Sequence, residues 1–226
     1  MLTKRLAACA ELVSGRGIAC DVGTDHAYLA AELLRSRRCK SVIASDIGEG
    51  PLQAAKRTLE QMGLLQHAEL ILSDGLRQIP PEGVTDVIIA GMGGETMIHI
   101  LSECTWMQAD VNLILQPMTK APLLRSWLTE NGYSLVQEKI VQEGRFFYTV
   151  MQVQQDGKAH SLDAFERELG TVDWDEETVR AYGRFRLGHY RRLAKQMQAA
   201  QPEMAEEYRR LAGQLEEKCR AEEETQ

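Results

Sequence analysis

Apolar residues recur along the chain in two rhythms. Short runs dense in Val, Ile, Leu and Ala at residues 17–20, 41–45, 68–72, 86–90 and 111–115 are too brief for helices and read as strands. Between them the apolar positions return in steps of three and four. Leu2, Leu6, Cys9, Ala10 and Val13 share one face of residues 2–14, with Lys4, Arg5 and Glu11 off it. That spacing predicts a short amphipathic helix over the entry to the first strand. Ala27, Leu29, Ala30, Leu33 and Leu34 repeat it across 27–38, and further helices are predicted at 52–62, 95–103 and 123–131. Pro51 stands in a first turn, where it is tolerated, while Gly63 and Gly132 mark helix ends. The run 86–90 is almost wholly apolar, as in a strand buried on both faces of a parallel sheet.

The pattern then changes twice. Residues 133–141 alternate apolar and polar side chains, Gly144-Arg145 supplies a turn, and 146–153 returns as a second run, so an antiparallel hairpin closes the sheet. The predicted fold class is α/β, a Rossmann-like sheet with a C-terminal antiparallel β-hairpin over residues 1–153. Beyond it no strand pattern recurs. A linker at 154–160 leads to one stripe of Val179, Tyr182, Arg186, Tyr190, Leu193 and Met197, and, past Pro202, another of Met204, Tyr208, Leu211, Leu215 and Cys219. Steps of three and four predict two long helices packed as an antiparallel coiled-coil pair, making 154–226 a small all-helical domain.

Composition narrows the classes. A chain of 226 residues with 26% charged side chains is ordinary for a globular protein. Residues 6–13 are interrupted by Glu11 and small side chains, so no secretory leader is expected, and no stretch approaches the roughly 20 apolar residues of a spanning helix. A cytoplasmic location without membrane attachment is expected. The five cysteines are scattered and include no C-x-x-C pair, which argues against a disulfide framework and against a metal site. Nothing in the chain sets its oligomeric state; a monomer is favoured. The net charge is −7, and both the first 153 residues and the remainder are acidic, so nucleic-acid contact must come from local basic patches. One such patch is the set Arg180, Arg184, Arg186, Arg191, Arg192 and Lys195, which could track RNA phosphates. Neighbouring acids balancing a solvated face is the alternative for each of them, and Lys4 and Arg5 have the same two readings, with a phosphate contact as the sharper one.

Candidate chemistry concentrates at strand ends. The first strand hands over to a helix through Asp21-Val22-Gly23-Thr24-Asp25-His26-Ala27-Tyr28. Gly23 permits tight dihedrals and close approach of a ligand near a helix N-terminus. A dinucleotide turn would need G-x-G-x-x-G against a pyrophosphate. This turn instead offers one glycine between Asp21 and Asp25, which suits a ligand with cationic or hydroxyl groups and no phosphate, as in S-adenosyl-L-methionine. Capping of the following helix is the competing role for Asp25. Asp46 ends the second strand, where an acid can grip a ribose diol. Asp74-Gly75 ends the third, placed to meet an adenine amino group, although Asp-Gly is also a common turn. Gly91-Met92-Gly93-Gly94 follows the fourth at the sheet end where such folds bind ligands.

These residues carry a family likeness. Asp21-Val-Gly-Thr-Asp-His-Ala-Tyr-Leu29, Asp46-Ile-Gly-Glu-Gly-Pro51, Asp74-Gly75, Ile89-Ala-Gly-Met-Gly-Gly94, Leu115-Gln-Pro117, Leu124-Arg-x-Trp-Leu and Asn131-Gly-Tyr133 together resemble the bacterial tRNA (adenine(22)-N(1))-methyltransferases. The likeness spans residues 2–153. It implies a class I methyltransferase domain using S-adenosyl-L-methionine, a helical domain gripping tRNA, and methylation of adenine N1. By that likeness Asp21, Gly23 and Thr24 lie at the methionine part of the cofactor, Asp46 and Ile47 at the ribose, and Asp74 and Gly75 at the adenine. Gly91, Met92 and Gly93 border the cofactor where other adenine methyltransferases carry N-P-P-Y. Asp25 is the carboxylate expected to face the target base, Tyr28 the ring expected to stack on it, and His26 the next candidate. A methyltransferase for another RNA, a small molecule or a protein, a nicotinamide dehydrogenase, and a non-catalytic RNA-binding module are the competing readings.

Overall fold

A computed structural model describes residues 2–220. In chain order the elements are α1 (Lys4–Leu12), β1 (Ile18–Val22), α2 (Tyr28–Arg35), β2 (Val42–Asp46), α3 (Glu49–Gln61), β3 (Ala68–Leu72), β4 (Val84–Gly93), α4 (Gly94–Ser102), β5 (Asn112–Thr119), α5 (Ala121–Glu130), β6 (Tyr133–Glu143), β7 (Phe146–Gln155), α6 (Ala164–Leu169), α7 (Glu177–Met197) and α8 (Pro202–Arg220). The seven strands form one sheet in the order β3-β2-β1-β4-β5-β7-β6. β1 to β5 run parallel, and β7 runs antiparallel to both β5 and β6. The order reverses between β1 and β4, which opens a crevice at the carboxyl ends of these strands.

Each sheet face is covered by its own apolar cluster. Ala19, Ala44, Ile88 and Ile114 meet the buried sides of α1 and α2 on one face, and Cys20, Ile43, Val87, Ile89 and Leu113 pack with Met97, Leu101, Leu124 and Leu128 of α4 and α5 on the other. Strands with side chains buried on both faces explain the nearly continuous apolar runs. Buried charged groups inside the sheet unit are partnered, although the buried Ser45 Oγ has no hydrogen-bond partner among the described residues. The fully buried Asp86 accepts from the Ser14 amide at 2.6 Å and hydroxyl at 2.7 Å, from Thr85 Oγ1 at 2.8 Å, and from Asn112 Nδ2 at 2.7 Å. The buried Arg125 forks onto Glu138 at 2.8 Å, tying α5 to β6. Such a pair fixes registry more than it adds stability, because both charges are desolvated.

Three predicted boundaries shift. β4 runs through Gly91 to Gly93 and β5 through Gln116 and Pro117 to Thr119, beyond the predicted strand ends at 90 and 115. Register shifts at Met92 let the glycine segment and the proline pair across the two strands, Met92 with Pro117 and Gly93 with Thr119. α1 packs against α2 and over β4 to β7 rather than at the entry of the first strand. α3 also starts earlier, at Glu49, keeping Pro51 inside its first turn.

By its contacts the chain divides into two compact units, residues 1–161 and 162–226. The composition shift at 153/154 lies earlier because residues 156–160 stay bound to the first unit. The Asp156 and Gly157 amides donate to the Gly132 carbonyl and the His160 amide to that of Thr129. The second unit opens with α6, whose Asp163 and Glu166 form a capping box. α7 and α8 then pack along each other. Tyr190 stacks on Tyr208 with centroids 5.8 Å apart, and Gly183 lies against Leu215 and Cys219, so the pair is antiparallel. Its buried stripe on α7 is Val179, Tyr182, Gly183, Tyr190 and Ala194, with Leu193 and Met197 only half-buried.

Candidate functional site

The β1-to-α2 turn is held from both sides. The Gly23 and Thr24 amides donate to the Ser45 carbonyl at 2.8 and 2.9 Å, which ties the turn to β2. Asp21 is buried and accepts from Thr24 Oγ1 at 2.8 Å. Burial pushes its carboxyl up to about 6; the Thr24 hydroxyl opposes that rise and the nearby Asp46 adds to it. Gly23 sits at φ +75°, and a Cβ there would lie 2.1 Å from Met92 Cε. The space above this glycine is therefore filled by a side chain from the end of β4, rather than left open as its lack of a Cβ suggested.

Asp25, His26 and Tyr28 form a neighbouring surface. Asp25 Oδ1 lies 3.7 Å from His26 Nε2, and the His26 ring stacks on Tyr28 with centroids 5.5 Å apart. The Asp25 side chain is 73% exposed and Tyr28 is 58% exposed. No side chain caps α2, which excludes the capping role for Asp25. Asp25 at φ 47° and Ala27 at φ 55° both hold the left-handed conformation without being glycine. Such strain persists where surrounding structure enforces it, and it gathers at functional turns.

The next two strand ends supply further carboxylates. Asp46 Oδ1 accepts from the Gly48 amide at 2.9 Å, and Ile47 beside it is 72% exposed, an apolar side chain standing in solvent at the crevice. The Ser73 amide donates to the Asp46 carbonyl, which brings the β3 end alongside. Asp74 pairs with Arg77 at 3.2 Å and its amide donates to Gln78 Oε1, while Gly75 follows at φ +60° against Ile100. Asp21, Asp46 and Asp74 thus stand at three adjacent strand ends, with no glycine-rich phosphate cradle among them. This donor set suits a ligand bearing cationic and hydroxyl groups and no phosphate, and in that respect fits S-adenosyl-L-methionine.

The ends of β4 and β5 carry a group that was not among the predicted site residues. Gln116 is fully buried; its Oε1 accepts from Arg5 Nη1 at 2.8 Å and from the Gly91 amide at 3.2 Å. Gly91 sits at φ +81°, which favours glycine, and the Arg5 guanidinium packs beside it, 3.5 Å from where a Cβ would be. Arg5 is therefore a packed group and not a solvated one. The Gln-Pro dipeptide ending a buried strand was the available signal for Gln116; nothing local pointed to its partner more than a hundred residues away.

Comparisons with known proteins decide the family. A model described as a methyltransferase domain matches residues 2–151. The Bacillus subtilis tRNA (adenine(22)-N(1))-methyltransferase is 33% identical over 172 residues, covering 76% of this chain and 72% of that protein. The chain belongs to the tRNA (adenine(22)-N(1))-methyltransferase family. Its fold is that of solved members. The B. subtilis enzyme superposes with a TM-score of 0.81 at 28% identity, covering 97% of this chain and 99% of that one. A Streptococcus pneumoniae protein solved with S-adenosyl-L-methionine gives a TM-score of 0.81 at 30% identity over 94% of this chain and all of that one. Among the described residues, no helix is long and apolar enough to cross a membrane, and no group of three or more His, Cys, Asp or Glu side chains is arranged to hold a metal ion.

Proposed function

We propose that this chain transfers a methyl group from S-adenosyl-L-methionine to N1 of the adenine at position 22 of tRNA. The observation that carries this reading is the row of Asp21, Asp46 and Asp74 at adjacent strand ends, in a chain of this family. When bound, S-adenosyl-L-methionine supplies an electrophilic methyl on a sulfonium. Asp21, with Gly23 and Thr24, would hold the methionine part, Asp46 and Ile47 the ribose, and Asp74 and Gly75 the adenine. Gly91, Met92 and Gly93 border the methyl-bearing side.

Adenine N1 already presents a lone pair, so no strong base is needed. Positive charge develops on the base as the methyl arrives, and the Asp25 carboxylate is placed to stabilise it or to accept from the exocyclic amine. Tyr28, with His26 stacked behind it, offers a ring for the unstacked adenine. Incubation of unmodified tRNA with the chain and cofactor, followed by nucleoside mass spectrometry, should yield 1-methyladenosine at position 22. Methylation elsewhere, or none with cofactor bound, overturns the reading.

A further inference from the structure

The turn joining β6 to β7 has no role in the chemistry above, yet it lies at the same end of the sheet. β7 runs antiparallel to β5, pairing Leu113 with Val153 and Leu115 with Met151, so the turn at residues 143–146 falls at the carboxyl ends of the parallel strands. We propose that this turn and the first turn of α1 form an RNA-contacting surface of the methyltransferase unit, made by Lys4, Arg145 and Phe146 and braced by Arg5, which takes the tRNA backbone and an unpaired base beside the target adenine. The inference rests on tRNA being the substrate.

Three features carry it. Arg5 pairs with Glu143 across the two elements, with Lys4 next to Arg5 and Arg145 two residues past Glu143, which gathers three basic residues at this point of a chain whose net charge is −7. Neither Lys4 nor Arg145 forms an ion pair among the described residues, and both are exposed. Phe146 is 51% exposed, and the Arg145 guanidinium lies 5.0 Å from its ring centroid. A cation stacked on an exposed ring at a hairpin tip combines a phosphate partner with a platform for a base, the pairing used on single-stranded and looped RNA.

The surface is also rigidly placed. Arg5 bridges Gln116 Oε1 and the Glu143 carboxylate, whose Oε1 accepts from the Arg5 amide at 2.7 Å, and its guanidinium lies 6.0 Å from the Tyr148 ring centroid. The tip is thereby fixed to the end of β5 rather than left as a free loop.

The test is steady-state methylation of an unmodified tRNA transcript by the full chain over a range of salt, with cofactor affinity measured by calorimetry. Phe146→Ala should raise KM for tRNA about fivefold or more, the loss of one stacked base. Arg145→Gln should lower the slope of log affinity against log salt by about 0.7 to 0.9, one phosphate contact, and Arg145→Lys should restore it. Turnover at saturating tRNA and cofactor affinity should stay at wild-type values. Unchanged KM and slope in Phe146→Ala and Arg145→Gln, with the wild type methylating tRNA, overturns the inference, as does loss of cofactor binding in either variant, which would make the tip structural. A wild type that binds cofactor but leaves tRNA unmethylated overturns the underlying reading instead.

Discussion

In the helical unit Arg167, Arg186 and Arg191 face acids of the same unit, whereas at the carboxyl ends of β1 and β2 the acids face few cations. Arg186 is held by Glu168 at 3.3 Å and by the Tyr190 hydroxyl, Arg191 by Glu216 at 2.5 Å, and Arg167 by Glu207 at 2.9 Å. Asp21 has a threonine hydroxyl, Asp46 a backbone amide and Asp25 a histidine at 3.7 Å. Asp74, paired with Arg77, is the exception. A run of arginines in sequence is thus not a basic surface in space. Helical spacing sets Arg186 on the inward face, where its charge serves cohesion, and leaves Arg184, Arg192 and Lys195 outward. Carboxylates held by single neutral donors keep acceptor capacity that a ligand can use.

The sharpest way to break this contrast is at Asp46. Asp46→Ala removes charge-assisted hydrogen bonds worth about 1.5 to 3 kcal/mol, so cofactor affinity should fall about tenfold to a hundredfold by calorimetry. Unchanged affinity would remove Asp46 from the site. Asp25→Asn and Tyr28→Ala should each lower turnover about tenfold or more, the scale of a lost electrostatic or stacking contact, while cofactor still binds. Wild-type turnover in both would move the base site towards Gly91 and Gln116.

Asp21 sharpens the contrast through pH. Its carboxyl titrates near 6 in the folded chain against an ordinary value of 3.8. The folded state therefore holds the proton more tightly, and the stability this contributes is complete below about pH 4 and lost as pH rises through about 6. Cofactor binding that needs the ionised form should run the opposite way, with Kd improving about tenfold between pH 5 and 7 and levelling above pH 7. In Asp21→Asn both dependences should flatten. A wild-type Kd constant from pH 5 to 7 would show that ionised Asp21 takes no part in binding.

Much of this arrangement was legible before the structure. The βα alternation and the closing hairpin follow from apolar rhythm, because strands buried on both faces must be apolar throughout and helices on one face must repeat every three or four residues. The strand-end acids were legible because each follows an apolar run directly. Less so were the extensions of β4 and β5, since glycine and proline argue against strands, and only the shifted register beside Met92 and Pro117 accommodates them. α6 was missed although Asp163 and Glu166 spell a capping box, a signal present but not used. The links among Arg5, Gln116 and Glu143 join the first helix to residues more than a hundred positions away, and no local pattern encodes them.

The smallest expected effect tests the helical unit from its exposed side. Arg184 and Arg192 are exposed and make no ion pair among the described residues, although Arg192 Nη2 meets His189 Nδ1 at 3.0 Å. If the outward face meets tRNA, Arg184→Gln and Arg192→Gln should each lower the salt slope of tRNA affinity by about 0.7 to 0.9 or less, with thermal stability unchanged. Arg186→Gln should do the reverse. It takes the charged donor from Glu168, which keeps the Tyr190 hydroxyl, and the donor from Tyr190 Oη, a loss of about 1 to 3 kcal/mol seen as a lower melting temperature, and the salt slope stays put because this guanidinium never reached a phosphate. A slope that drops in Arg186→Gln while the melting temperature holds would reverse the assignment, making the inward arginine the RNA contact and the paired geometry incidental to the fold.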